Sequence, residues 1–107
     1  MNFTLLEKMA VLKAIDEVLM ADGHIDIGEI AYLKQILDIF GVEMEFLQEA
    51  RSLSSNHGGK ILREMDDIKK VALYKIMREM ADADGQMDVE ELEVIFAVLE
   101  VAGIKPN

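Results

Sequence analysis

The chain has 107 residues, no cysteine and one proline, which supports one domain and excludes disulfides, thiol chemistry and cysteine-ligated zinc. Apolar residues make up 51%, enough to build a core, and Leu, Ile, Met, Ala, Glu and Lys dominate, most of which favour helix. A net charge of −10 sets the surface against nucleic-acid phosphates and anionic lipid, and suits divalent cations or basic protein partners instead.

The opening MNFTLLEKMAVLKAIDEVLM lacks the basic start and small-residue cleavage site of a signal peptide. Glu7, Lys8, Lys13, Asp16 and Glu17 break its apolar run well below membrane-spanning length. The cytoplasm is therefore the expected compartment, with no direct membrane insertion.

Thr4 and Glu7 form a capping box ahead of a helix over about 5–21, with Leu5, Met9, Leu12, Ile15 and Leu19 on one broad face. Gly23 stops it. A second helix is predicted over about 27–40 and ends at Gly41; a third, shorter one covers 43–53. Ser54–Gly59 is the main break and the linker between two halves, with a short helix over 60–64. Asp66 then caps a helix over 67–82, and a last helix covers 89–102. The extra apolar stripe Val94, Ala97, Val98 and Val101 is expected to dock the third helix of the other half, or to form a homodimer contact. Met65, Met77, Met80 and Met87 are expected as core filling.

The chain repeats itself. Shifted by 62 residues, residues 4–42 align with 66–104 without a gap, with 11 identities in 39 positions. Outside the loops these are Lys8/Lys70, Ala10/Ala72, Lys13/Lys75, Glu17/Glu79, Leu37/Leu99 and Gly41/Gly103. The other five fall in one nine-residue motif, A-D-G-x-x-D-x-x-E, at 21–29 and 83–91. The expected fold class is all-α: one domain over 1–107, built from two pseudo-twofold-related helix–loop–helix repeats (about 4–53 and 60–104) in a compact multi-helix bundle. The long first helix of each repeat should be central and lie near the axis.

Each loop supplies three carboxylates: Asp22, Asp26 and Glu29, then Asp84, Asp88 and Glu91, with Asp82 as a possible extra. Helix capping explains much of this spacing. Asp26 and Asp88 stand as N-caps, and Glu29 and Glu91 occupy the third helical position that a capping box uses. Capping leaves Asp22 and Asp84 unexplained, since they follow helix C-termini, where the dipole disfavours an anion. The sharper reading gathers these oxygens around a hard cation, Ca²⁺ or Mg²⁺. A degenerate EF-hand is a third. Placing Gly85 at the EF-hand glycine puts Asp82, Asp84, Asp88 and Glu91 at ligand positions three, five, nine and twelve, but position one falls on Met80, and on Val18 in the first copy.

The doubled A-D-G-x-[IM]-D-x-x-E, each copy between two apolar helices, resembles the TerB-like family of tellurite-resistance proteins, which includes the amino-terminal domain of the co-chaperone DjlA. The resemblance spans about Thr4 to Ile104. It implies an all-helical, pseudo-symmetric fold, a metal site at Asp22, Asp26, Glu29, Asp84, Asp88 and Glu91, and a stress-associated, scaffold-like role. His24 and His57, the only histidines, form no recognisable triad with a nucleophile, and Asn56–Gly59 follows no strand and lacks a phosphate-loop lysine. The expected function is thus non-enzymatic: an interaction module for other proteins, with a divalent cation as its only cofactor, or a scaffold whose carboxylates only cap helices.

Overall fold

A computed structural model describes residues 2–21, 23, 27–82 and 89–104. Six helices occupy the described residues: α1 (Leu5–Leu19), α2 (Ile27–Phe40), α3 (Met44–Arg51), α4 (Ser55–Arg63), α5 (Asp67–Asp82) and α6 (Val89–Val101). Their ends follow local chemistry. The Thr4 hydroxyl accepts from Glu7 N at 3.1 Å while Glu7 Oε1 accepts from Thr4 N at 2.8 Å, so two donors left over at the start of α1 are satisfied reciprocally. Asp66 opens α5 in the matching way, accepting from Lys69 N at 2.9 Å. Gly41 and Gly103 close α2 and α6 with φ of 69° and 75°. Beyond them Val42 N donates to Leu37 O at 3.0 Å, and Ile104 N to Leu99 O at 2.8 Å, the bonds of a Schellman ending.

The repeated lysines have a related purpose. Lys8 Nζ donates to Phe40 O at the C-terminus of α2 (2.9 Å). Its counterpart Lys70 brings Nζ beside Gly103, just past the end of α6. Each puts a cation at the negative end of a helix dipole.

One apolar cluster draws on all six helices. The helix α1 is its centre: Val11, Leu12, Ile15 and Val18 are fully buried, and its closest packing neighbours are α3 and α4. The expectation of an equally central α5 does not hold. It buries Leu73, Ile76, Met77 and Met80 but leaves Ile68 and Val71 exposed. Among the described residues α5 packs on α6, whereas α1 is enclosed by α3 and α4 as well as α6. Met65, Met77 and Met80 fill the core as expected, and Met87 lies outside the described residues.

The starts of α1 and α5 meet. Lys69 Nζ lies 2.7 Å from Glu7 Oε1, with both side chains mostly buried. These are repeat counterparts, and a residue touches its own counterpart only close to a two-fold axis. Two glutamates there would repel; the exchange to lysine in the second copy turns a symmetric clash into an ion pair. The helices also meet crosswise: α1 packs on α6, and α2 reaches α5 through the Tyr32–Glu79 hydrogen bond and the side chains around it.

Ser54–Gly59 is not a break. Ser54 caps α4, its hydroxyl accepting from His57 N at 3.1 Å, and Gly58 and Gly59 lie buried inside the helix. Mid-helix glycine costs about 0.5–1 kcal/mol, which is why the stretch reads as a linker. Close approach of α6 offsets that cost: a Cβ on Gly59 would collide with Val101 Cγ1. The apolar stripe on α6 faces α4 and α1 rather than α3: Val98 is buried, while Ala97 and Val101 stay exposed along an open groove. Gly59→Ala is expected to lose about 1 kcal/mol net, overpacking of about 1–3 kcal/mol outweighing the helix-propensity gain. Adding Val101→Ala should recover it. Gly58→Ala meets only ordinary contacts, Leu53 Cδ2 at 3.5 Å and Lys13 Cγ at 3.8 Å, and should stabilise by about 0.5–1 kcal/mol. Urea unfolding of the three variants checks both signs.

Among the described residues, no helix is long and apolar enough to cross a membrane.

Candidate functional site

The acidic loops join α1 to α2 and α5 to α6. Glu29 and Glu91 stand in the first turns of α2 and α6 and are buried, 3% and 5% exposed. Asp82 is the last residue of α5 and is exposed. Asp22, Asp26, Asp84 and Asp88 lie outside the described residues, as does His24. Among the described residues, no three His, Asp or Glu side chains gather closely enough to hold a metal.

The burial of both glutamates is the feature that their polarity hid in the sequence. A carboxylate withdrawn from water is costly unless hydrogen bonds and charge compensate it. The positive end of each helix dipole supplies part of that compensation. Met80 and Val18, at the first ligand position of the EF-hand register, are 1% and 0% exposed and belong to the core.

The start of α2 and the end of α5 share a groove. Gly28, which leaves the first loop, and Asp82, which leads into the second, line one shallow groove with Ala31, Tyr32, Gln35 and Glu79. Tyr32 closes its inner side by donating to Glu79 Oε1 at 2.9 Å. Burial, then the hydrogen bond and charge of Glu79, push the Tyr32 phenol well above its ordinary range, so it remains a neutral donor. This pair spans 47 residues, and local spacing carried no sign of it.

A second link ties α3 back to the centre of the core. Arg51 donates to Asp16 Oδ1 from Nε (3.1 Å) and Nη2 (2.9 Å), joining α3 to α1. The hydrogen bond and charge of Asp16 raise the guanidinium pKa further. Asp16 is buried, and its repeat counterpart is Arg78, so this link belongs to the first copy alone.

No family model and no curated protein matches the chain. A crystal structure of a protein of unknown function from Porphyromonas gingivalis W83 is similar, with a TM-score of 0.82 and 23% sequence identity over 100% of this chain and 90% of that one. At that identity the likeness establishes the fold, an all-α bundle along the whole chain.

Proposed function

We infer that this chain is a non-enzymatic interaction module whose two acidic loops bind a hard divalent cation, Ca²⁺ or Mg²⁺. The observation that carries the reading is the shared groove: Gly28 and Asp82, flanking different loops, line one surface beside Glu79. Carboxylates contributed by both copies can then act on one ion, which neither loop alone supplies in the number that Ca²⁺ takes. Asp22, Asp26 and Glu29 with Asp84, Asp88 and Glu91 would hold it, and Asp82 stands at the margin. The donor set is all oxygen, which suits a hard cation and not zinc or copper. The resemblance to the TerB-like family supports the same residues, a stress-associated role and protein partners, in the cytoplasm.

A second reading keeps the fold and drops the ion. The burial of Glu29 and Glu91 at the third position of their helices favours it, because a capping box places a glutamate there without any ligand.

Thermal unfolding separates the two. A cation that binds only the folded chain raises stability by about 2.7 kcal/mol at a hundredfold excess over its dissociation constant. The inferred module should show a midpoint that rises with CaCl₂ or MgCl₂ and falls with chelator. Asp84→Asn should reduce that response while leaving the caps Asp88 and Glu91 in place. A midpoint indifferent to both cations leaves the capping scaffold as the function of these loops.

A further inference from the structure

Crosswise packing creates two related grooves, one between α2 and α5 and one between α1 and α6. In the first, the Tyr32–Glu79 hydrogen bond acts as a partition. Gly28, Ala31, Gln35 and Asp82 line the cavity on one side of it; Ile36, Ile39, Ala72 and Ile76 line the cavity on the other. In the second groove the counterparts of Tyr32 and Glu79 are Val94 and Glu17. Valine has neither the reach nor the hydroxyl to make a partition. The counterparts of residues from both divided cavities, Ala10, Ala14, Ala97 and Val98 among them, therefore line one continuous groove of about 350 Å³. Gly58, Gly59 and Leu62 of α4 form its third wall.

We propose that this α1–α4–α6 groove docks an amphipathic helix of a partner protein, which inserts a tyrosine toward Glu17 and carries Lys or Arg on the flanking turns. The proposal rests on the reading of the chain as an interaction module and not on the cation. Three observations select this occupant. Tyr32 and Glu79 demonstrate in the same architecture which side chain fits opposite a glutamate at this position: a phenol donating to the carboxylate. The place of the Tyr32 ring is taken here by the smaller Val94, and Ala97 and Val101 beside it are exposed, so the groove is open to an incoming side chain. Glu17 and Glu93 mark the rim of a chain with net charge −10, whereas the nearby Lys13 is engaged with Arg51 O at 3.4 Å, so a basic partner is complementary. Glu17 already accepts from Ser55 Oγ at 2.8 Å through Oε2, and a carboxylate accommodates several donors. An apolar helix face entering a groove of this kind is a recurrent mode of recognition.

The probe is a synthetic amphipathic peptide with one central tyrosine and lysines one helical turn to either side, titrated into the full chain and followed through methyl resonances. Saturable shifts are expected at Leu62, Val94, Val98 and Val101. Binding should weaken at least about tenfold, equal to about 1.4 kcal/mol, when the peptide tyrosine becomes alanine or its lysines become glutamates. Val94→Tyr rebuilds the partition within the chain, and should abolish binding while the thermal midpoint holds or rises. Should that variant fold poorly, Glu17→Gln is expected to weaken the tyrosine peptide and leave the alanine peptide unchanged. Equal affinity of the two peptides, shifts confined to other methyls, or no saturation in the millimolar range would overturn the proposal. So would concentration-dependent shifts of the same methyls without peptide, which would make a second copy of the chain the occupant. Repeating the titration in chelator keeps the readings apart: groove binding with a cation-indifferent midpoint removes the cation alone, and a cation response without groove binding removes the groove alone.

Discussion

Lys69→Glu is expected to destabilise the chain by about 2–3 kcal/mol at neutral pH. An exposed ion pair is worth at most about 1 kcal/mol, and breaking a fully buried one costs about 3–5 kcal/mol. The Glu7 and Lys69 side chains, 14% and 18% exposed, lie between those limits, and the substitution adds repulsion to the lost attraction. The pH dependence is diagnostic. Burial pushes the Glu7 carboxyl up, but Lys69 and Thr4 more than offset it and hold the group below its ordinary value of 4.5. Such a carboxylate stabilises the fold above the unfolded value, and the contribution disappears as pH falls through the lower, folded value. The deficit of Lys69→Glu should therefore narrow as pH falls toward and through about 4.5, because mutual repulsion raises one of the two facing carboxyls and it takes up a proton there, while the wild-type pair loses its own contribution at lower pH. Adding Glu7→Lys restores an ion pair with its polarity reversed. That double variant should regain most of the loss, short of about 1 kcal/mol for the missing capping box. Chemical unfolding across pH reads all of these, and a double variant no better than the single would mean that the two side chains do not face each other.

Leu12→Ala should have the largest effect of any single truncation considered. The side chain is fully buried at the centre of α1. Removing such a group costs about 2–5 kcal/mol through lost transfer energy and the cavity left behind. Against a total of about 5–15 kcal/mol, that is a large share of stability. With about 4–8 °C per kcal/mol for a small domain, the thermal midpoint should fall by at least about 8 °C. Ile39→Ala, at a position 75% exposed, should stay within about 0.5 kcal/mol. Equal costs at the two sites would contradict a core centred on α1.

Much of the fold was legible because its signals are local. Thr4 and Asp66 announce helix starts, Gly41 and Gly103 announce ends, and α2 and α5 occupy the predicted ranges. What stayed hidden depends on distant partners. Gly58 and Gly59 read as a linker because local propensity counts their entropic cost and does not see the space that Val101 requires. The identity of Lys8 and Lys70 gained a reason only when each was found beside the C-terminus of a neighbouring helix. The Glu7–Lys69 pair joins residues 62 apart, and only the repeat offset could have hinted at it. At the loops, the sequence offers the carboxylate pattern but not burial: Glu29 and Glu91 look like ordinary surface residues until α2 and α6 are packed. The difference between the grooves was present in the aligned copies as Tyr32 opposite Val94, but only the packing of α2 on α5 gave it meaning.

Amide spectra of the full chain, recorded while CaCl₂ or MgCl₂ is added, interrogate the acidic loops most directly. The account predicts saturable shifts concentrated at residues 21–29 and 83–91 together, weakened in both loops by Asp84→Asn, since the copies serve one ion. Resonances of both loops that stay fixed through millimolar cation would contradict it, and the repeated carboxylates would then be helix caps alone.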